Sequence, residues 1–132
     1  MKRLSPSEEK KKFQAGVAQF NSGQFFEAHE SWEEIWLAAP EPEKTFLQGI
    51  IQISAAFHHF RRDNHAGAES LLGEGLRKLD RFPSMHRGLK IGKLREFVRC
   101  WLAALAREDR EVLQRVPQLE QQESESEPGF VR

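Results

Sequence analysis

One segment, residues 42–62, constrains the fold of this chain more than any other. Pro42 is suited to the first position of a helix, and apolar side chains then recur at helical spacing in two neighbouring stripes. The first stripe comprises Phe46, Ile50, Ile53, Phe57 and Phe60, and the second comprises Leu47, Ile51, Ser54 and His58. A helix that is apolar over more than half of its circumference is normally contacted from several sides. The pattern therefore predicts a central helix.

The rest of the chain shows helical spacing as well. Ser5-Pro6-Ser7-Glu8 is a capping box, which predicts that the first helix begins there and ends near Gly23. Further helices are predicted over residues 24–39, from Asn64 to about 79, over 91–107, and briefly before Pro117. We expect a loop over residues 82–92 and no strands. The fold class is therefore all-α, a compact bundle of about five to six helices.

Length and composition predict one domain. The chain has 132 residues, and we assign residues 1–117 to a single helical bundle and residues 118–132 to a disordered acidic tail rich in Glu, Gln and Ser. The lone Cys100 and the absence of an apolar leader favour a cytoplasmic location. The longest uncharged stretch, residues 45–60, is too short to span a bilayer, so we expect no membrane association.

The run from Glu27 to Trp36 concentrates four carboxylates, a histidine and two tryptophans. A helical wheel, advancing about 100° per residue, places Trp32, Trp36 and His29 on the apolar face. Glu33 falls at the edge of that face and Glu30 slightly farther out, whereas Glu27 and Glu34 lie on the opposite side. The wheel predicts that the tryptophans belong to the core and that His29, Glu33 and Glu30 are the polar groups able to enter the interior.

The central helix offers groups that match them. Gln48, Gln52 and His59 form a thin polar stripe between apolar flanks, and His58 lies within the apolar arc. A buried amide or imidazole needs a hydrogen-bond partner, since leaving it unsatisfied costs about 1–3 kcal/mol. We expect a polar cluster between the second and third helices. Its candidate ligand-pocket residues are His29, Glu30, Glu33, Trp36, Gln48, Gln52, His58 and His59.

A metal site is the alternative interpretation of this cluster. His29 and Glu33 are four residues apart on one helix face, and His58 or His59 would supply a third ligand. The segment from His29 to Glu33 resembles the H-E-x-x-H zinc helix, with Glu in the second ligand position. In this reading the protein is a metal-dependent hydrolase with Glu30 as the base. The spacing favours a structural His–Glu hydrogen bond, and whether the protein is an enzyme stays open.

Charge is balanced overall but unevenly distributed. Residues 24–43 contain six acids and no bases, whereas residues 77–99 contain eight Lys and Arg against Asp80 and Glu96. The basic stretch gives a second alternative, nucleic-acid or polyanion binding. No recognised nucleic-acid motif accompanies it, so we do not expect a nucleic acid as the main partner.

A longer pattern surrounds these residues. Three segments of the chain resemble the domain-of-unknown-function family 309. They are Phe20-Asn21-Ser22-Gly23-Gln24-Phe25-Phe26-Glu27-Ala28-His29-Glu30-Ser31-Trp32-Glu33-Glu34-Ile35-Trp36, Phe46-Leu47-Gln48-Gly49-Ile50-Ile51-Gln52 and Asn64-His65-Ala66-Gly67-Ala68. The similarity runs from about Phe13 to Pro83. It implies a small all-helical protein of prokaryotic or plastid type and supplies no established activity, substrate or cofactor. The family's His, Glu, Trp and Gln positions correspond to His29, Glu30, Glu33, Trp36, Gln48 and Gln52.

The function predicted from these observations is non-enzymatic binding or interaction. The polar cluster would be structural or would hold an unidentified small molecule or protein partner, and we expect no cofactor unless a divalent metal occupies the cluster. A homodimer through the stripe of Gln48, Gln52 and His59 is a further alternative.

Overall fold

A computed structural model describes residues 4–122 of the chain. It contains six α-helices and one β-hairpin. The helices are α1 (Pro6–Asn21), α2 (Phe25–Trp36), α3 (Glu43–Arg61), α4 (His65–Leu79), α5 (Ile91–Arg107) and α6 (Arg110–Leu113), and the strands are β1 (Met85–His86) and β2 (Leu89–Lys90). The predicted all-α bundle is confirmed. Within the described residues, no helix is both long and apolar enough to cross a bilayer.

Local sequence signals fix the ends of the first helices. The Ser5 hydroxyl accepts a hydrogen bond from the Glu8 amide at 3.1 Å, and the Glu8 carboxylate accepts one from the Ser5 amide at 2.9 Å. Gly23, at φ 81°, makes the left-handed turn between α1 and α2. The Asn64 side chain caps α4 by accepting a hydrogen bond from the Gly67 amide at 3.0 Å. α2 stops at Trp36, three residues before the predicted end.

α3 is the central helix, as its two apolar stripes predict. It packs against both α2 and α4. Phe46, Leu47, Ile50, Ile53 and Phe57 are all buried in the core. The core extends from Phe13 on α1 to Leu119 beyond α6, so the helices enclose one continuous apolar interior.

The segment predicted as a loop contains the β-hairpin, so the expectation of no strands is wrong. β1 and β2 pair antiparallel around Arg87 at φ 51° and Gly88 at φ 78°, the backbone of a type I′ turn. Leu89 is fully buried and anchors the hairpin to the core. Strands of two residues are too short to show alternation in the sequence, which is why the pattern did not reveal them.

The start of the predicted tail is ordered. Leu119 is buried, its amide donates to the Asn21 side-chain oxygen at 2.7 Å, and its carbonyl accepts from the Asn21 side-chain nitrogen at 3.1 Å. The Lys90 amide also donates to the Glu120 carbonyl at 2.8 Å. Residues 118–122, which the sequence analysis assigned to the acidic tail, therefore contact the helical bundle through Leu119 and Glu120. The rest of that prediction, residues 123–132, lies outside the described residues.

Candidate functional site

α2 presents two different faces. Phe25, Ala28, Trp32 and Ile35 are buried in the core, as the helical wheel predicts. Trp36, also predicted as core, is only half-buried. The Lys44 ammonium lies 4.0 Å from the centre of the Trp36 ring and donates to the Trp36 carbonyl at 2.7 Å.

The line along which α2 and α3 meet at the surface, which we call the α2–α3 seam, gathers the predicted polar residues. The two helices run antiparallel, with Trp36 tied to Lys44 at one end and Phe25 tied to Ser54 at the other. This register places Gln52 level with His29, and Gln48 level with Glu33. His29, Gln48 and Gln52 are each half-buried along the α2–α3 seam.

Three polar atoms of the α2–α3 seam have no hydrogen-bond partner. Among residues 4–122, the buried side-chain atoms left without a partner are His29 Nδ1, Trp36 Nε1 and Gln52 Oε1. All three belong to the cluster predicted from the sequence. Each unsatisfied buried polar group costs about 1–3 kcal/mol. Within residues 4–122, the buried side-chain atoms that lack a partner therefore all belong to α2 and α3.

The two histidines of α3 point in different directions. The rings of His58 and Phe26 have centres 5.2 Å apart, and the Phe26 ring also stacks on His29 at 5.8 Å, so His58 joins the α2–α3 seam. His59 instead turns toward the start of α4, where its Nδ1 lies 3.1 Å from the Asn64 amide nitrogen. Burial, followed by the positive charge of Arg62, lowers the pKa of His58 below its usual value.

The carboxylates do not enter the interior. Glu30 and Glu33 are both exposed, so the expectation that Glu33 reaches inward is wrong. Both lie at the solvent edge of α2, where a carboxylate keeps its hydration and avoids the cost of burial. Within residues 4–122, no three His, Cys, Asp or Glu side chains form a group able to hold a metal ion. The predicted ligands His29, Glu33, His58 and His59 are therefore not brought together as a metal site.

The α2–α3 seam is bordered by exposed apolar side chains that are not among the predicted site residues. Phe26 is 46% exposed and Leu37 is 56% exposed, and both lie on the outer side of α2. Together with Glu30 and Glu33 they follow the spacing i, i+4, i+7, i+11, which forms a straight stripe on a helix. The spacing of this stripe is visible in the sequence, but the exposure of Phe26 and Leu37 is seen only in the folded chain.

Most cations of the basic stretch are paired with carboxylates of the protein itself. Of its eight Lys and Arg, seven approach a carboxylate oxygen, with closest distances between 2.6 and 3.8 Å: Arg77, Lys78, Arg87, Lys90, Lys93, Arg95 and Arg99. Arg95 also donates to the carbonyls of Leu79 and Phe82 at 3.0 Å each. The seven cations share five carboxylates, those of Glu9, Glu43, Glu74, Asp80 and Glu120, and the side chains of Arg77, Lys93 and Arg99 stay more than half exposed.

Two further features were not predicted. The hairpin is held to α3 by Glu43, whose carboxylate lies 2.9 Å from His86 and 3.3 Å from Arg87.

A cleft of about 760 Å³ also opens between α4, α5 and α6, next to the stacked rings of Phe60 and His65. None of the predicted site residues lines this cleft, because it forms where helices far apart in sequence meet.

Similar proteins identify relatives of this chain but give no activity. Residues 13–71 match the family described as a domain of unknown function, DUF309. Over 80 residues the chain is 30% identical to an uncharacterized protein of Aquifex aeolicus, covering 60% of this chain and 24% of that protein. It is 38% identical over 80 residues to the uncharacterized protein YpuF of Bacillus subtilis, covering 56% of this chain and 44% of YpuF. The chain thus spans less than half the length of either relative. These matches confirm the resemblance of this chain to the domain-of-unknown-function family 309.

Proposed function

We propose that this protein is a non-enzymatic binding protein and that its partner docks on the α2–α3 seam. The observation that supports this proposal is the set of three buried, unpartnered atoms on His29, Trp36 and Gln52. The indole nitrogen of Trp36 can only donate, and the Gln52 oxygen can only accept. Because all three atoms are buried, docking has to turn these side chains outward, and the partner then has to offer both a hydrogen-bond acceptor and a donor.

The same two helices show what a purely structural polar group looks like. Ser54 is fully buried on α3, and its hydroxyl donates to the Phe25 carbonyl at 2.6 Å. A group kept only for architecture is satisfied inside the fold in this way. His29 and Gln52 lie at the same helix pair and are not satisfied, which supports a role in contacting something outside the chain.

Binding is favoured over the hydrolase alternative by the placement of the acids. Hydrolysis at this cluster would need Glu33 and two histidines to face one ion, with Glu30 beside it. Glu30 and Glu33 face solvent instead, and His59 is directed toward Asn64. The arrangement suits surface recognition.

The test separates a binding role from a structural one. We would replace Gln52 by Leu and, separately, His29 by Leu, with Gln14→Leu on the exposed side of α1 as the matched control. If the α2–α3 seam is a binding surface, removing an unsatisfied group leaves the free energy of unfolding unchanged or raises it by about 1 kcal/mol. Peptides selected from a random displayed library against the wild type would also bind Gln14→Leu and lose affinity for Gln52→Leu.

The opposite result would show a structural role. Loss of about 1–3 kcal/mol in urea unfolding for both Leu variants, together with selected peptides that bind them as well as the wild type, contradicts the proposal.

The compartment is part of the same proposal. Cys100 is the only cysteine of the chain and is an exposed free thiol. A lone exposed thiol is typical of a reducing environment, so we place the protein in the cytoplasm. Detection of the native protein in a cell fractionation experiment tests this placement.

A further inference from the structure

We infer that the partner of the α2–α3 seam is a basic amphipathic helix of another protein, lying along the outer side of α2. This inference rests on the proposed binding function and adds the chemical class of the partner. It follows from the geometry of the exposed apolar residues, the unbalanced charge between them and the polar atoms beneath.

The geometry fits a helix. Phe26, Glu30, Glu33 and Leu37 form a straight stripe along the axis of α2, and the two apolar ends are eleven positions apart, about 16 Å at 1.5 Å per residue. A second helix packed alongside would meet such a stripe over about three turns. Helices are recognised by partners through apolar anchors that recur at helical spacing along one face. Phe26 and Leu37, 46% and 56% exposed, are suited to receive them.

The charge between the anchors fits a basic partner. Within residues 4–122, neither Glu30 nor Glu33 forms an ion pair, whereas the neighbouring Glu34 is paired with Lys12 at 2.9 Å. The basic stretch cannot supply the missing cations, because seven of its eight side chains already contact carboxylates of the chain. The outer side of α2 therefore keeps a local negative charge that a Lys- or Arg-bearing helix complements.

The same charge argues against a second copy of this chain at the α2–α3 seam. In a twofold dimer, the stripe of one molecule faces the stripe of the other. Glu30 and Glu33 would then lie opposite carboxylates without a cation to separate them, which is unfavourable. The homodimer predicted through Gln48, Gln52 and His59 is thus less favoured than a basic helix as the partner of the α2–α3 seam.

The experiment uses the full chain and a displayed library of helical peptides with one randomised face. We expect selection to enrich Lys and Arg between two apolar positions eleven residues apart. Reversing both charges, Glu30→Lys with Glu33→Lys, should weaken the selected peptides about tenfold or more. Peptides carrying Glu in place of the enriched Lys should recover binding to that double variant. The control Glu96→Lys, on the exposed side of α5, should bind as the wild type does.

The outcomes separate this inference from the function on which it rests. One contrary result is that the selected peptides depend on Gln52, are acidic or extended, and bind the charge-reversed double variant as well as the wild type. That result would contradict a basic helix as the partner and would leave the binding function in place. Concentration-dependent dimerisation in sedimentation, abolished by Leu37→Glu, would assign the surface to a second copy and would also contradict a basic helix. If no selected peptide depends on Gln52, Glu30 or Glu33, the proposed binding function itself fails.

Discussion

The indole ring of Trp32 lies directly against the backbone of Gly16. Its Nε1 donates to the Phe13 carbonyl at 3.1 Å, and a Cβ atom placed on Gly16 would lie 2.1 Å from that nitrogen. Trp32 is fully buried, so α1 and α2 approach closely only because position 16 has no side chain. The site-bearing helix α2 is therefore positioned by a glycine on its neighbour.

Replacing Gly16 by Ala should destabilise the protein. The added methyl group overlaps the indole and displaces it from its hydrogen bond, and overpacking of this kind costs about 1–3 kcal/mol. Urea unfolding followed by circular dichroism measures the loss. The matched control is Gly73→Ala on α4, where the nearest atom to the new Cβ is an Arg77 side-chain nitrogen at 3.7 Å. There the higher helix propensity of Ala should raise stability by about 0.5–1 kcal/mol. Equal effects at the two positions would contradict the packing argument.

His58 should make stability depend on pH. Its pKa in the folded protein is lowered, first by burial and then by the positive charges of Arg62 and His59, while Glu27 acts in the opposite direction. Protonation is therefore harder in the folded state than in the unfolded state, where the pKa is near 6.5. The contribution of neutral His58 to stability is therefore fully present above pH 6.5 and is lost as the pH falls through the lowered pKa.

The His58→Gln variant tests this dependence. Chemical unfolding between pH 7.5 and 5 should show a smaller loss of stability for the variant than for the wild type. Hydrogen bonds from Thr45 to Glu41 and from Arg107 to Asp109 lower the pKa of these two acids, which places their titration below this pH range. Identical pH profiles for the two proteins would exclude His58 as the group responsible.

Leu119 should contribute as a core residue although it follows the last helix. It is 3% exposed, so Leu119→Ala removes buried apolar surface and should cost about 2–3 kcal/mol in thermal or urea unfolding. Val116, only three residues earlier, is 46% exposed, and Val116→Ala should change stability by less than about 0.5 kcal/mol. A neutral Leu119→Ala variant would mean that the chain beyond α6 does not belong to the core.

The basic stretch should bind polyanions weakly. Most of its charges are already paired, so retention on a heparin column should depend only weakly on salt. The slope of log retention against log salt concentration should correspond to fewer than about two released counterions. Retention measured at several salt concentrations gives this number. A steep dependence of retention on salt concentration that is lost in Arg77→Ala and Arg81→Ala variants would support nucleic-acid binding.

Periodicity predicts most of this fold because burial follows helical spacing. The residues of α3 at three- and four-residue intervals became the centre of the core, and Ser5 and Asn64 capped their helices as their side chains require. The candidate site was also partly predictable, since His29, Trp36 and Gln52 fall at the edge of apolar faces. At that edge a polar atom can be buried and still lack a partner.

Features that depend on tertiary contacts could not be predicted from the sequence. The hairpin is formed by two-residue strands and held by Glu43, which is distant in sequence. The helical wheel predicted that Glu33 could enter the interior. At that angle the carboxylate can also stay at the solvent edge of α2, where it keeps its hydration and has a lower free energy than in the interior. The pairing of the basic stretch likewise depends on Glu120 and Asp80, which only the folded chain brings close.

The two hydrogen bonds of the Asn21 side chain have a consequence for the order of folding. They join residues 98 positions apart, and closing a loop of that length costs about 4 kcal/mol of chain entropy before any contact compensates for it. The contacts among α1, α2, α3 and α4 connect neighbours along the chain and carry no such cost. The four-helix portion that bears the α2–α3 seam can therefore assemble first, with Leu119 closing over the end of α1 as a late step.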